Sequence, residues 1–165
     1  MKENKILNLA YGSNLNLGQM AYRCPTAKVY GKGMPLDYQL LFKGREDNAY
    51  ATIEPKRGSK VPVLVWELQP EDEKALDYYE GYPRFYEKME VELNLETGER
   101  INAMVYIMTD EVMERIQLNL PSRNYLKTVR AGYAMAGFDN KYIEAALDIS
   151  RKEQDLRNRE RRQVR

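Results

Sequence analysis

From Lys5 to Met108 the chain is a succession of short apolar or alternating segments cut by glycine, proline and polar turns, with few stretches of helical spacing among them. Strands this short, not alternating regularly with helices, cannot wind into a repeating βαβ layer. They predict an α+β arrangement, with sheet first and helices gathered at the end.

Lys5 to Tyr11 reads as a buried strand that runs into the tight loop Gly12-Ser13-Asn14. Leu17 to Tyr22 suits a short helix stopped before Pro25. Lys28–Gly31 and Tyr38–Phe42 read as strands, with Gly31, Gly33 and Pro35 between them. Tyr50–Ile53 and Val61–Leu68 read as two more, joined by the polar turn Pro55-Lys56-Arg57-Gly58-Ser59. Pro70 followed by Glu71, Asp72 and Glu73 marks a helix start, because proline suits the first helical position and acids suit the positive end of the dipole. Gly81 stands where a C-terminal cap belongs, which puts Glu80 at the helix exit. Arg84–Leu95 and Arg100–Met108 alternate as strands around the turn Glu96-Thr97-Gly98. Ser122 and Asp139 are placed to cap two final helices, the first carrying Tyr125, Val129 and Tyr133, the second Tyr142, Ile143, Ala146 and Leu147.

The chain contains no histidine and one cysteine, Cys24. Nucleophilic sites built on Ser-His or Cys-His are excluded in their usual form, and a zinc site loses its commonest nitrogen ligand. Proton transfer near neutral pH then falls to a carboxylate, lysine, tyrosine or thiol with a shifted pKa. The lone thiol allows no internal disulfide, and before Pro25 a packing role suits it. No apolar run reaches membrane-spanning length, Met1 to Lys5 lacks the apolar core of a signal peptide, and the net charge is +1. The expectation is a cytoplasmic protein that seeks neither membrane nor nucleic acid.

Three segments carry candidate chemistry. Tyr11-Gly12-Ser13-Asn14-Leu15 follows a buried strand. Glycine allows close backbone approach to a ligand, and successive amides there can form an anion cradle; an ordinary turn has the same composition. Glu80 lies in Leu76-Asp77-Tyr78-Tyr79-Glu80-Gly81-Tyr82-Pro83-Arg84-Phe85-Tyr86. Rings enclosing it would raise its pKa toward that of a general base; the alternative is an exposed helix-end acid with Tyr79 and Tyr82 packed beneath. Tyr125, in Pro121-Ser122-Arg123-Asn124-Tyr125, either offers a hydroxyl to a pocket or is half-buried core.

Taken together, in this order and spacing, these segments resemble the gamma-glutamylcyclotransferases, including the AIG2-like members. Arg23-Cys24-Pro25, Ala51-Thr52-Ile53, Val63 to Leu68 and Tyr106-Ile107-Met108-Thr109 extend the resemblance from about Ile6 to Leu147. It implies a compact mixed β-barrel flanked by helices, with a cavity at one mouth. It implies an enzyme that needs no cofactor and no metal and that releases 5-oxoproline from a small gamma-glutamyl substrate. By position it makes Glu80 the catalytic acid–base, and Tyr11, Gly12, Ser13, Asn14, Leu15, Tyr86 and Tyr125 the substrate-binding set. The loop resembles the general and AIG2-like branches more than the glutathione-specific one, although Glu80-Gly81-Tyr82 echoes the latter. The other reading is a binding protein of the same fold without turnover.

Residues 1–150 are expected to form the domain, and 151–165 a charged helical tail. Glu153–Arg157 and Asp155–Arg159 have helix-favouring spacing there. The tail reads as a solvated helix end or as a basic contact surface for an acidic partner. Monomer and homodimer are both compatible with this sequence.

Overall fold

The protein's structure is a computed structural model, in which residues 5–164 are described. β1 (Ile6–Ala10) leads through a single 3-10 turn, Ser13–Leu15, into α1 (Leu17–Arg23). β2 (Lys28–Gly33), β3 (Leu36–Arg45), β4 (Asn48–Lys60) and β5 (Val63–Leu68) follow, then α2 (Pro70–Glu80), β6 (Tyr86–Asn94) and β7 (Arg100–Met108). The chain ends with α3 (Asp110–Met113), β8 (Gln117–Leu118), α4 (Arg123–Ala136) and α5 (Lys141–Gln163).

The α+β class is as expected, but the barrel is not. The strands form two sheets, a five-stranded one in the order β2-β5-β1-β7-β6 and a three-stranded one in the order β4-β3-β8. The edges of the larger sheet, β2 and β6, approach at one corner. There Gly33 bridges Leu95 and the Glu96 amide donates to the Lys32 carbonyl at 2.9 Å. A single bridge is not a ladder, and the β3–β4 hairpin pairs with itself and with β8, so among the described residues no ladder closes the cylinder.

The expected turn at Pro55–Ser59 is also corrected. β4 runs through it, because β3 extends back to Leu36 and supplies a partner. The register jumps from Tyr38↔Pro55 to Leu36↔Lys60, and the intervening residues bulge opposite Asp37, whose carboxylate accepts the Gly58 amide at 2.9 Å.

β1 is the hub of the larger sheet, antiparallel to β5 and parallel to β7. Leu9, Val65 and Val105 of this sheet join Phe42 and Ile53 of the other, Leu76 of α2, and Val129, Tyr133, Ile143 and Leu147 of the last helices in one contiguous core. α4 packs against the 3-10 turn that follows β1, with Gly132 beside Leu15. No helix among the described residues is long and apolar enough to cross a membrane.

α5 continues without a break into the charged region. Gln154 donates to Asn119 Oδ1 at 2.8 Å, and Arg157 donates to the Leu118 carbonyl at 2.8 Å. The first part of that region is thus tied to β8, while Arg159 to Arg162 are exposed.

Candidate active site

The loop after β1 is fixed from three sides. Its 3-10 turn closes when the amides of Leu15 and Asn16 donate to the carbonyls of Gly12 and Ser13, both at 3.1 Å. Trp66, buried on β5, donates its indole N–H to the Asn14 carbonyl at 2.9 Å. α4 presses on the loop through Gly132, where a Cβ would stand 2.7 Å from Leu15 Cβ and 2.8 Å from its carbonyl carbon. Leu15 is therefore a fully buried packing residue. Among the described residues, the amides of Gly12, Ser13 and Asn14 have no backbone acceptor.

α2 delivers Glu80. Pro70 opens the helix, Asp72 reaches back to the Gln69 amide at 2.9 Å, and Gly81 ends it in the left-handed region with φ 65°. Glu80 is the last helical residue and is half-buried. Asn14 Nδ2 donates to its Oε1 at 3.0 Å. Arg23, on the last turn of α1, donates to Asn14 Oδ1 at 2.8 Å and to Ser13 Oγ at 3.4 Å, and its guanidinium stacks over the Tyr79 ring. One guanidinium thus orients the Asn14 amide group, and that group orients the carboxylate.

Burial raises the Glu80 pKa from its ordinary value; the Asn14 hydrogen bond and the Arg23 charge pull the other way. Tyr11, Tyr86 and Tyr125 are all pushed up, chiefly by burial, so their hydroxyls stay protonated.

The tyrosines clamp Ala51 of β4. Pro121 bridges Ala49 and so brings the start of α4 alongside β4. Ser122 caps α4 by accepting the Tyr125 amide at 3.2 Å. The Tyr125 hydroxyl then accepts the Ala51 amide at 3.0 Å, while the Tyr86 hydroxyl donates to the Ala51 carbonyl at 2.7 Å. Because Tyr125 Oη is an acceptor in that bond, its own proton stays available to another acceptor. Tyr11 donates to the Tyr106 carbonyl at 2.6 Å.

Two adjoining spaces result. A small inner cavity of about 30 Å³ is lined by Tyr11, Gly12, Ser13, Asn14, Glu80, Tyr86 and Tyr125, together with Ala51 and Tyr106. An outer cleft of about 540 Å³ shares Ser13, Glu80, Tyr86 and Tyr125 with it, and adds Arg23, Tyr50, Tyr79, Phe85 and Thr128. That volume is in the range of small-molecule sites. Of the expected site residues, the structure gathers all but Leu15 around the inner cavity. Arg23 was not singled out for a role at the site in the sequence. A basic residue in a last helical turn reads as a dipole partner, and nothing local tells of its contact with Asn14.

Cys24 is buried, its thiol donates to the Asp72 carbonyl at 3.5 Å, and burial pushes its pKa up to about 11. Among the described residues, no group of three or more Cys, Asp or Glu side chains is placed to hold a metal ion.

Fold and cleft define an α+β protein with a small-molecule pocket at the end of its central strand. The chain belongs to the gamma-glutamyl cyclotransferase, AIG2-like family, whose model matches residues 9–127. The gamma-glutamylcyclotransferase of Homo sapiens is 28% identical over 150 residues, covering 86% of this chain and 77% of that protein. The gamma-glutamylcyclotransferase of Bos taurus is 29% identical over 144 residues, covering 82% and 74%. A solved gamma-glutamyl cyclotransferase structure superposes with a TM-score of 0.75 at 26% identity, covering 87% of this chain and 86% of that one.

Proposed function

We propose that this protein is an enzyme that cyclises the gamma-glutamyl group of a small amide or peptide to 5-oxoproline and releases the amine. The observation that carries this reading is the carboxylate of Glu80, half-buried at the junction of the two cavities and held by Asn14 of the loop that ends β1. Family membership and the curated relatives' names support the same chemistry.

The substrate's α-amine attacks its own γ-carbonyl carbon, a new C–N bond closes the five-membered ring, and the original amide C–N bond breaks. The reaction is intramolecular, so a site that holds the folded conformer removes most of the entropic part of the barrier. The amine arrives as ammonium and must first lose a proton. Glu80 takes it, returns it to the departing nitrogen, then takes the second proton as the lactam forms and passes it on. Glu80 begins and ends ionised, and both protons leave with the product amine as its ammonium ion.

A carboxylate with a raised pKa is a stronger base than a solvated one, which suits this task. The amides of Ser13 and Asn14, which have no backbone acceptor among the described residues, and the unallocated Tyr125 proton supply donors for the substrate carboxylate or the developing oxyanion. Leu15 has no part beyond packing. The leaving group occupies the outer cleft, whose aromatic wall of Tyr50, Tyr79 and Phe85 accommodates an apolar side chain.

The test is 5-oxoproline release by the wild-type protein across gamma-glutamyl amino acids, gamma-glutamyl amines and glutathione. Turnover of at least one class is expected. Tight binding without turnover of any would make the protein a binding module.

A further inference from the structure

The C-terminal half of α5 borders a second cavity, which shares no lining residue with the cleft at Glu80. It has a volume of about 300 Å³, at the lower bound for small-molecule sites. Arg45, Arg115, Arg157 and Arg161 line it, with Glu46 and Asp47 at the β3–β4 hairpin tip. Four arginines against two acidic residues make the lining net positive.

Arg157 is the fixed member. Its Nη2 donates to the Leu118 carbonyl at 2.8 Å and to Asn119 Oδ1 at 2.6 Å. Asn119 is buried and is itself held, donating to the Gly44 carbonyl at 2.9 Å and accepting from Gln154. Both acceptors of Arg157 are neutral, and its Nη1 is buried with no hydrogen-bond partner among the described residues. No carboxylate among the described residues lies within ion-pair distance of Arg45, Arg157 or Arg161; Arg115 pairs only with exposed Glu111 at 3.4 Å. A half-buried cation with neutral partners and three cationic neighbours is electrostatically incomplete. The fork geometry of guanidinium matches the oxygens of a phosphate group.

We propose that this cavity binds a small phosphate ester bearing hydroxyl groups. The arginines take the phosphate, and the carboxylates of Glu46 and Asp47, which form no ion pair among the described residues, accept hydrogen bonds from the hydroxyls.

Thermal unfolding is followed with glucose 6-phosphate, inorganic phosphate and glucose, each against sodium chloride at matched ionic strength. The Asn119 side-chain amide resonance serves as a local reporter. A saturable rise in Tm and a shift of that resonance are expected with glucose 6-phosphate, weaker ones with inorganic phosphate and none with glucose. R45Q/R161Q should lose at least tenfold in affinity while keeping the unliganded Tm. Should that variant not fold, E46Q/D47N tests the same site, and its affinity for the ester should fall to that for inorganic phosphate. No effect beyond sodium chloride, an equal effect in R45Q/R161Q, or inorganic phosphate bound as tightly as the ester would overturn the proposal.

Discussion

Asn14 donates its side-chain amide to Glu80 across 3.0 Å, although 66 residues separate them in the chain. This contact fixes the carboxylate and stabilises its charged form. Arg23 adds to the effect from behind Asn14. Both therefore hold the Glu80 pKa below the value that burial alone would set. Asn14→Ala and Arg23→Ala should each raise it, so the acidic limb of the kcat/KM profile should move to higher pH. Arg23→Lys keeps the charge but loses the fork, and should show a smaller shift than Arg23→Ala. Unchanged limbs in all three would separate this network from the carboxylate.

The raised pKa of Glu80 also couples this carboxyl to folding. The Glu80 pKa in the folded protein stands above its ordinary value of 4.5. Between those two values the folded state binds more protons than the unfolded chain, so this group's stabilising contribution is present below about pH 4.5 and is lost as pH rises through the folded value. Glu80→Gln should thus unfold at a Tm equal to or above wild type at neutral pH. The difference should vanish in acid. Thermal melts from pH 4 to 8 check it.

Glycine 132 gives a prediction whose sign opposes helix propensity. Replacing a mid-helix glycine by alanine normally stabilises by about 1 kcal/mol. Here the added Cβ meets the backbone of Leu15 and Asn16 at 2.8 and 2.9 Å, with no flexible side chain to yield. Gly132→Ala should destabilise by about 1–3 kcal/mol in urea titration and lower turnover by displacing the loop.

Tyr125→Phe leaves the Ala51 amide without its acceptor. A buried donor without a partner costs about 1–3 kcal/mol. Chemical denaturation should register that loss. The accompanying fall in kcat should exceed that of Tyr86→Phe, because the Tyr86 proton is already committed to the Ala51 carbonyl.

How far the sequence foretells this site depends on the range of each interaction. The ends of α2 were legible because proline, first-turn acids and Gly81 act within a few residues of themselves. β1 and its loop were legible because a continuous apolar run meets glycine. The length of β4 was not, since residues 55–60 are polar and join the strand only through pairing with the far end of β3. β8 is a two-residue strand, defined wholly by its partner Lys43-Gly44. The barrel expected from family resemblance fails for a similar reason: closure needs a ladder between edges, and local patterning does not report edges. At the site, the residue types were legible and the bonds among them were not. Arg23 and Trp66 reach Asn14 from separate elements, and no spacing rule connects α1, β5 and the loop.

The most direct measurement is 5-oxoproline release by Glu80→Gln on the best wild-type substrate, with substrate affinity measured in parallel by calorimetry. Turnover should fall by about 10²–10⁴-fold, the usual contribution of a general acid–base group, while affinity stays within a few-fold. Equal turnover in mutant and wild type would remove Glu80 from the chemistry and contradict the account.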